Sequence, residues 1–439
     1  MKRQWLGLVY GVLTVSLLGA CSGSSESGSE SGEFASTDES TLTVWAWDAN
    51  FNIPIMERAG EYYKEEDHED FKVDVVEMSN EDTIQKLVSG FTSGVSEGLP
   101  DIVLVEDYAA QNFLINYEGK FAELSEEMDY SQFAPYKVEA VSHDEGVYAV
   151  PFDSGSAGLY YRTDYLEQAG YTQEDMQNLT WSKFVQIGKD VKEKTGKWFV
   201  AFIPNRGTHY IQMAMQSAGV WYFDEDGKIF LKDNPVVREM AEILKEIEKN
   251  DLAKPVDYFA PEGIGAVTSG EVAAVNSAVW YSATIKSAED QAGKWAYTNL
   301  PMLETVENAT PYSNLGGSSW FILEDSPNKE LAIDFLKTEF AGNDEFYQEI
   351  LVDNGAVGTY LPSQTGEAYQ YKDPFFNDAQ IYKDFSSWSE EIPGVDYGVN
   401  TSVAYEALRS VLQDYFDDKL TLDEMLEQAE EYYTMQIGE

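Results

Sequence analysis

The chain has 439 residues, and its 29 Lys+Arg against 78 Asp+Glu give a formal net charge of -49. Hydrophobic residues make up 43% of it, so it is not a disordered acidic polymer, and the length suits about two or three globular units. A single cysteine excludes an internal disulfide framework, three histidines leave little for a metal centre, and so negative a surface repels nucleic acid and anionic headgroups.

Residues 1–21 read MKRQWLGLVYGVLTVSLLGAC. Lys2 and Arg3 precede an apolar run from Trp5 to Leu18 that is shorter than the roughly 20 residues a spanning helix needs. The segment therefore reads as a signal peptide. Its end, Leu18-Gly19-Ala20-Cys21, resembles a bacterial lipobox, which implies cleavage after residue 20 and lipidation of Cys21. The Ser-, Gly- and acid-rich stretch that follows, to residue 40, cannot bury a core and is predicted to be a flexible tether.

The body opens with alternation. Leu42, Val44 and Ala46 face one way and Thr43, Trp45 and Trp47 the other, as in a strand. Ile55, Met56, Ala59, Tyr62 and Tyr63 share a helical face, 71–78 reads as a strand, and Asn80 or Asp82 can cap the next helix. With Asp101 to Val105 as a buried-type strand, this β-α-β-α-β run predicts a mainly parallel α/β sheet. Further along, 158–162 and 198–203 read as strands, and Thr180 caps a helix that turns Trp181, Phe184, Val185, Gly188 and Val191 inward. Residues 207–219 are helix-like, and Asp224 to Gly227 form a tight turn between short hairpin arms. Later strands are expected at 273–275, 297–300 and 320–323, and Ser326-Pro327 starts a helix. Two helices close the chain, the second opened by the capping box Thr421 to Glu424.

Catalytic signatures are absent. There is no His-Glu-x-x-His, Gly-x-Ser-x-Gly elbow, phosphate loop or dinucleotide glycine triplet. With 78 acids, carboxylate pairs arise by chance and say little about glycosidase chemistry.

Several segments, in order, resemble the family 1 extracellular solute-binding proteins of ABC importers, the maltose-binding-protein-like group. They are LPDIVLVED (99–107), VYAVPFDSGSAGLYYRTDYLEQAG (147–170), Thr180-Trp181, SAGVWYFDEDGK (217–228), GEVAAVNSAVW (270–280), NLGGSSWFI, SPNKELAIDFLKTEF and GTYLPSQ. The resemblance covers roughly residues 42–437. It implies a two-lobe α/β fold, each lobe a mainly parallel sheet flanked by helices, with the ligand in the cleft between them. Lobe one is then 41–153 plus 318–361 and lobe two 154–317 plus 362–439, with crossings near Phe152–Ser156, Asn314–Ser318 and Tyr360–Ser363. The resemblance also implies a monomeric, lipid-anchored, extracytoplasmic binder. It captures a carbohydrate and hands it to permease subunits, without cofactor, metal or catalysis. A polyamine or other non-sugar solute, or a secreted glycosidase, stays open as an alternative.

Sugars present hydroxyl edges and apolar ring faces, so a fitting cleft combines carboxylates or amides with aromatic platforms. By family position the candidate ligand residues are Trp47, Asp48 and Asn50, then Glu106, Asp107 and Tyr108 at a strand's carboxyl end. Asp153 lies at the first crossing. Arg206, His209 and Tyr210 precede or open a helix, Trp280 ends the 270–280 segment, and Tyr405 lies on the penultimate helix. Gly316 and Gly317 either present backbone N–H groups or permit the hinge. Trp47 and Tyr405 are equally compatible with core positions, and His209 with a structural role.

Overall fold

The computed structural model describes residues 38–49, 51–65 and 68–438; Cys21, the leader, most of the tether and Asn50 lie outside them. Strands β1 (Thr41–Ala46), β2 (Lys72–Glu77), β3 (Ile102–Glu106) and β4 (Ala149–Pro151) are joined in one sheet by β8 (Ser318–Ile322), in the order β2-β1-β3-β8-β4. β1 runs parallel to β2 (Val44↔Val75) and to β3 (Val44↔Ile102), whereas β8 is antiparallel to β3 and β4.

Both faces of this sheet are covered, because β1, β3 and β8 are apolar on both sides of the pleat. Leu42, Val44, Ile102, Leu104, Trp320 and Ile322 pack with Ile55, Met56 and Tyr63 of α1 (Asn52–Glu65) and with Phe335 and Phe340 of the helix Lys329–Phe340. On the other face Trp45, Val103, Val105 and Phe321 meet Leu87 of α2 (Asn80–Ser93) and Phe113 of α3 (Asp107–Asn116). A short helix, α4 (Pro135–Ala140), packs beside α3.

The second lobe has a smaller sheet. β5 (Ala157–Arg162) lies between β6 (Ala274–Ala278) and β7 (Trp295–Thr298), antiparallel to both. The two-lobe α/β architecture is the one expected, but this sheet is not the mainly parallel one expected for lobe two. Side-chain alternation is the same in either direction, and the chain returns to β5 only after several intervening helices, so periodicity carries no sign of the reversal. Here α5 (Trp181–Thr195), α6 (Gly207–Ser217), α7 (Thr401–Phe416) and α8 (Leu422–Ile437) enclose a large core around Trp181, Phe184, Tyr210, Met240 and Leu412.

Local signals account for most boundaries. The Thr180 hydroxyl accepts from Lys183 N–H, and Thr421 and Glu424 form a complete capping box. The α2 cap is Ser79, whose Oγ accepts from Asp82 N–H at 3.1 Å, and neither Asn80 nor Asp82 fills that role. Ser326 does not open a helix. Its hydroxyl bonds Asp101 Oδ1 at 2.6 Å, and helix begins at Lys329. The stretch 198–203 pairs regularly only over Val200–Ala201.

The lobes join through adjacent crossings. Residues after β4 pair on one side with the segment before β8, through Leu315 N–H to Gly155 O at 2.8 Å and Ala157 N–H to Ser313 O at 2.8 Å. On the other side Ser154 N–H donates to Val357 O at 2.8 Å and Thr359 N–H to Phe152 O at 3.0 Å. Val357–Thr359 thus pairs with the first crossing, and Leu361–Thr365, just beyond it, coils into a 3-10 turn.

Candidate binding site at the lobe junction

The strand ends of lobe one bring the first group together. β1 ends at Ala46, leaving Trp47 and Asp48 half-buried in the turn into α1. Asn52 Oδ1 fixes this turn by accepting from Trp47 N–H at 3.2 Å and Asp48 N–H at 3.0 Å. At the end of β3, Asn80 Nδ2 donates to Glu106 Oε2 at 2.7 Å and to the Tyr108 hydroxyl at 3.3 Å. Tyr108 is half-buried and packs against cores of both lobes, so it bridges the junction. Burial first, then the neighbouring Glu106 carboxylate, pushes its phenol well above its ordinary range, and it stays a neutral donor.

Lobe two supplies a row of rings. Tyr405 stacks on His209 with centroids 6.1 Å apart, His209 meets Phe259 edge-on at 5.3 Å, and Phe259 lies 5.8 Å from Trp280. The Tyr405 hydroxyl is 3.3 Å from His209 Nε2, and Trp280 Nε1 donates to Leu315 O at 3.2 Å. Burial, reinforced by the charge of Arg206, pulls the His209 imidazole down to about 4, so it is neutral at physiological pH. Arg206 is paired with Asp257, Nε to Oδ2 at 2.7 Å.

The crossings form the floor. Gly316 (φ +78°) and Gly317 (φ +89°) adopt backbone that other residues rarely hold. A Cβ on Gly316 would stand 3.7 Å from Trp280 Nε1, which places the glycine pair beside the ring row. Asp153 is buried, its Oδ1 accepting from Ser318 N–H at 2.9 Å and Ser318 Oγ at 2.6 Å.

Two candidates sit away from this surface. Tyr210 is enclosed in the lobe-two core against Trp181 and Phe202, because the α6 face that carries it also carries Ile211 and Ala214 inward. Asp107 opens α3 with its carboxylate turned inward, bonded by Lys137 Nζ at 2.7 and 2.8 Å and by Ser319 Oγ at 3.2 Å. Sequence reasoning missed Phe259, Asn80 as a site residue, and Asp257. The adjacent rings Tyr258-Phe259 just before Pro261 were the available signal for the first.

The sequence profile of bacterial extracellular solute-binding proteins matches residues 60–429. The chain belongs to that family. Among curated members, it is 48% identical over 361 residues to a lactose-binding protein of Rhizobium radiobacter, covering 82% of this chain and 85% of that one. It is also 25% identical over 245 residues to an arabinooligosaccharide-binding protein of Halalkalibacterium halodurans, covering 54% of each. The fold matches an ABC transporter associated binding protein of B. animalis subsp. lactis solved with beta-1,6-galactobiose, at TM-score 0.73, 19% identity and coverage of 90% and 98%. It likewise matches the GacH receptor of Streptomyces glaucescens at TM-score 0.74, 16% identity and coverage of 91% and 98%. Family membership makes this an extracytoplasmic solute-binding protein, and the curated relatives it matches are binding proteins. Among its described residues, no helix is long and apolar enough to cross a membrane.

Proposed function

We propose that this solute-binding protein is the lipid-anchored receptor of an ABC importer, capturing a carbohydrate, in the first place an oligosaccharide, for its permease subunits. The observation that carries the reading is the row Tyr405, His209, Phe259 and Trp280, tied to the crossing through Leu315, together with the acid and amide pair Glu106 and Asn80 at the strand ends of lobe one. Flat rings match the apolar faces of pyranoses, and carboxylate or amide groups match their hydroxyls. The lactose-binding relative supports a short galactose-containing sugar as the first ligand to test.

In this reading the lobes comprise 41–153 with 318–361 and 154–317 with 362–439, and ligand shifts an open–closed equilibrium toward closure. Cys21 carries the lipid and the tether spans to the body. Trp47, Asp48, Glu106, Tyr108, Asp153, Arg206, His209, Trp280, Gly316, Gly317 and Tyr405 form the site together with Phe259 and Asn80. Asn50 is assigned to it from its sequence position. Thermal unfolding against lactose, other galactosides, maltooligosaccharides and arabinooligosaccharides tests the proposal. Stabilisation should follow RT ln(1+[L]/Kd), about 2.7 kcal/mol at a hundredfold excess over Kd. A panel in which no saccharide raises the melting temperature, while a polyamine does, overturns the sugar assignment. Recovery of cleaved oligosaccharide overturns the binding-only reading.

A further inference from the structure

Beneath the glycine crossing lies a buried polar cluster whose central residue is a lysine. Lys137, on α4, has no exposed surface, and its ammonium makes three bonds: to Asp107 Oδ1 at 2.8 Å, Asp107 Oδ2 at 2.7 Å and Ser318 O at 2.8 Å. An ammonium has three donors, so each is used. Its partners hold the crossing in turn. Asp107 N–H donates to Gly317 O at 3.1 Å, and Ser319 Oγ reaches Asp107 Oδ1 at 3.2 Å. From the other crossing, Asp153 Oδ1 takes both the N–H and the hydroxyl of Ser318, while Phe152 N–H donates to Ser318 O at 3.2 Å. A Cβ on Gly317 would come within 2.9 Å of Asp107 Oδ2, so the left-handed glycine backbone is seated directly against the ion pair.

Lys137, Asp107 and Asp153 therefore grip three consecutive residues, Gly317 to Ser319, from both sides. We propose that Lys137 is a positioning residue for ligand capture: by neutralising Asp107 against the nearby Asp153, it fixes the glycine crossing on which the lobes swing and beside which Trp280 is held. This inference rests on the ligand-capture reading above. It explains why a fully buried lysine is kept in so acidic a chain, where an apolar residue of similar volume packs at less cost.

Removing the ammonium leaves the buried Asp107 carboxylate without its counter-ion, and it must take up a proton or stay uncompensated. Burial already pushes the Asp107 carboxyl up, with Lys137 pulling it back and Asp153 adding to the rise. The other titratable groups around Asp107 are Tyr136 on α4 and Tyr397 from the segment before α7, with Glu139 acting on Tyr397. Burial raises both phenols above the working range, so these tyrosines do not titrate with the acids.

The test uses the full chain, Lys137→Met, and the double variant Lys137→Met with Asp107→Asn. Lactose binding is titrated calorimetrically at pH 5, 7 and 9, and hydrogen exchange is followed at the amides of 316–319. Wild-type affinity should be flat with pH. Lys137→Met should bind roughly tenfold more weakly at pH 9 than at pH 5, with faster exchange at Gly317 and Ser318. The double variant should regain a flat profile. A single variant with a flat profile and unchanged exchange overturns the proposal, as does a double variant as pH-dependent as the single one. If Lys137→Met does not fold, the pH profile of the double variant decides. If no saccharide of the panel binds wild type while Lys137→Met still accelerates exchange at 316–319, the ligand reading fails and the hold of Lys137 on the crossing stands.

Discussion

His209 and Trp280 show how neighbours decide what a side chain contributes to this junction. His209 is ringed by Tyr405, Phe259 and the charged Arg206, and burial leads the loss of its proton down to about 4. An unfolded chain protonates the same imidazole near 6.5, so between these values the unfolded state binds more protons. Stability gained by keeping His209 neutral is therefore complete above about 6.5 and is lost as pH falls toward 4. His209→Gln should flatten the fall in unfolding free energy over that window, read as the difference between variant and wild-type urea curves at each pH. Trp280 acts differently, since its ring is only half-buried while its Nε1 is anchored on Leu315 O. Trp280→Ala should weaken saccharide binding by about 1.5 kcal/mol, or roughly tenfold. Tyr210→Phe should leave affinity unchanged, because that ring points into the core. Calorimetry on both variants separates a platform from a packing residue.

At the scale of elements, the parts legible in sequence were those set by short-range chemistry. Thr180 and the Thr421–Glu424 box were readable because a cap needs only a hydroxyl that accepts from the N–H three residues on, with a carboxylate at that position completing the box in the second case. Strand direction in lobe two was not, since β6 and β7 meet β5 only after long excursions and alternate identically either way. Cap identity at α2 failed for a milder reason: Ser79, Asn80 and Asp82 are all competent, and only backbone geometry selects Ser79. The site divides in the same manner. Trp280 and the glycine pair stood in recognisable blocks, whereas Phe259 joins the row of rings only through the tertiary approach of the segment before Pro261. Gly188 gives a direct test of an inward helical face. A Cβ there would lie 2.5 Å from Phe199 Cδ1 and 3.2 Å from Leu252 Cδ1. Alanine favours helix by about 1 kcal/mol over glycine, yet overpacking costs about 1–3 kcal/mol. Gly188→Ala should therefore lower the urea midpoint without changing its slope, and an increase would show that α5 packs more loosely than its contacts indicate.

For the whole molecule the dominant fact is still its charge of -49, which the site does not explain. The basic groups near the junction are engaged: Arg206 with Asp257 and Lys137 with Asp107. Most remaining acids are solvated and repel one another over distances set by the ionic atmosphere, about 30 Å at 0.01 M salt and about 3 Å at 1 M. Compact states of one sign suffer this repulsion more than expanded ones, so screening should stabilise the fold. Raising NaCl from about 0.01 to 1 M should lift the melting temperature by several degrees, beyond what an equal concentration of sucrose produces. Ligand affinity measured over the same range bears on the nature of the solute. An uncharged sugar held by rings and hydrogen bonds should change by less than about twofold, because no ion pair forms on binding. A polyamine drawn by the general field would lose at least tenfold in affinity over that range. A salt-indifferent Kd beside a salt-dependent melting temperature is the expected result, and it assigns the charge to the surface and its surroundings rather than to the cleft. A Kd that rises steeply with salt would move the acids into the binding mechanism and favour a cationic ligand.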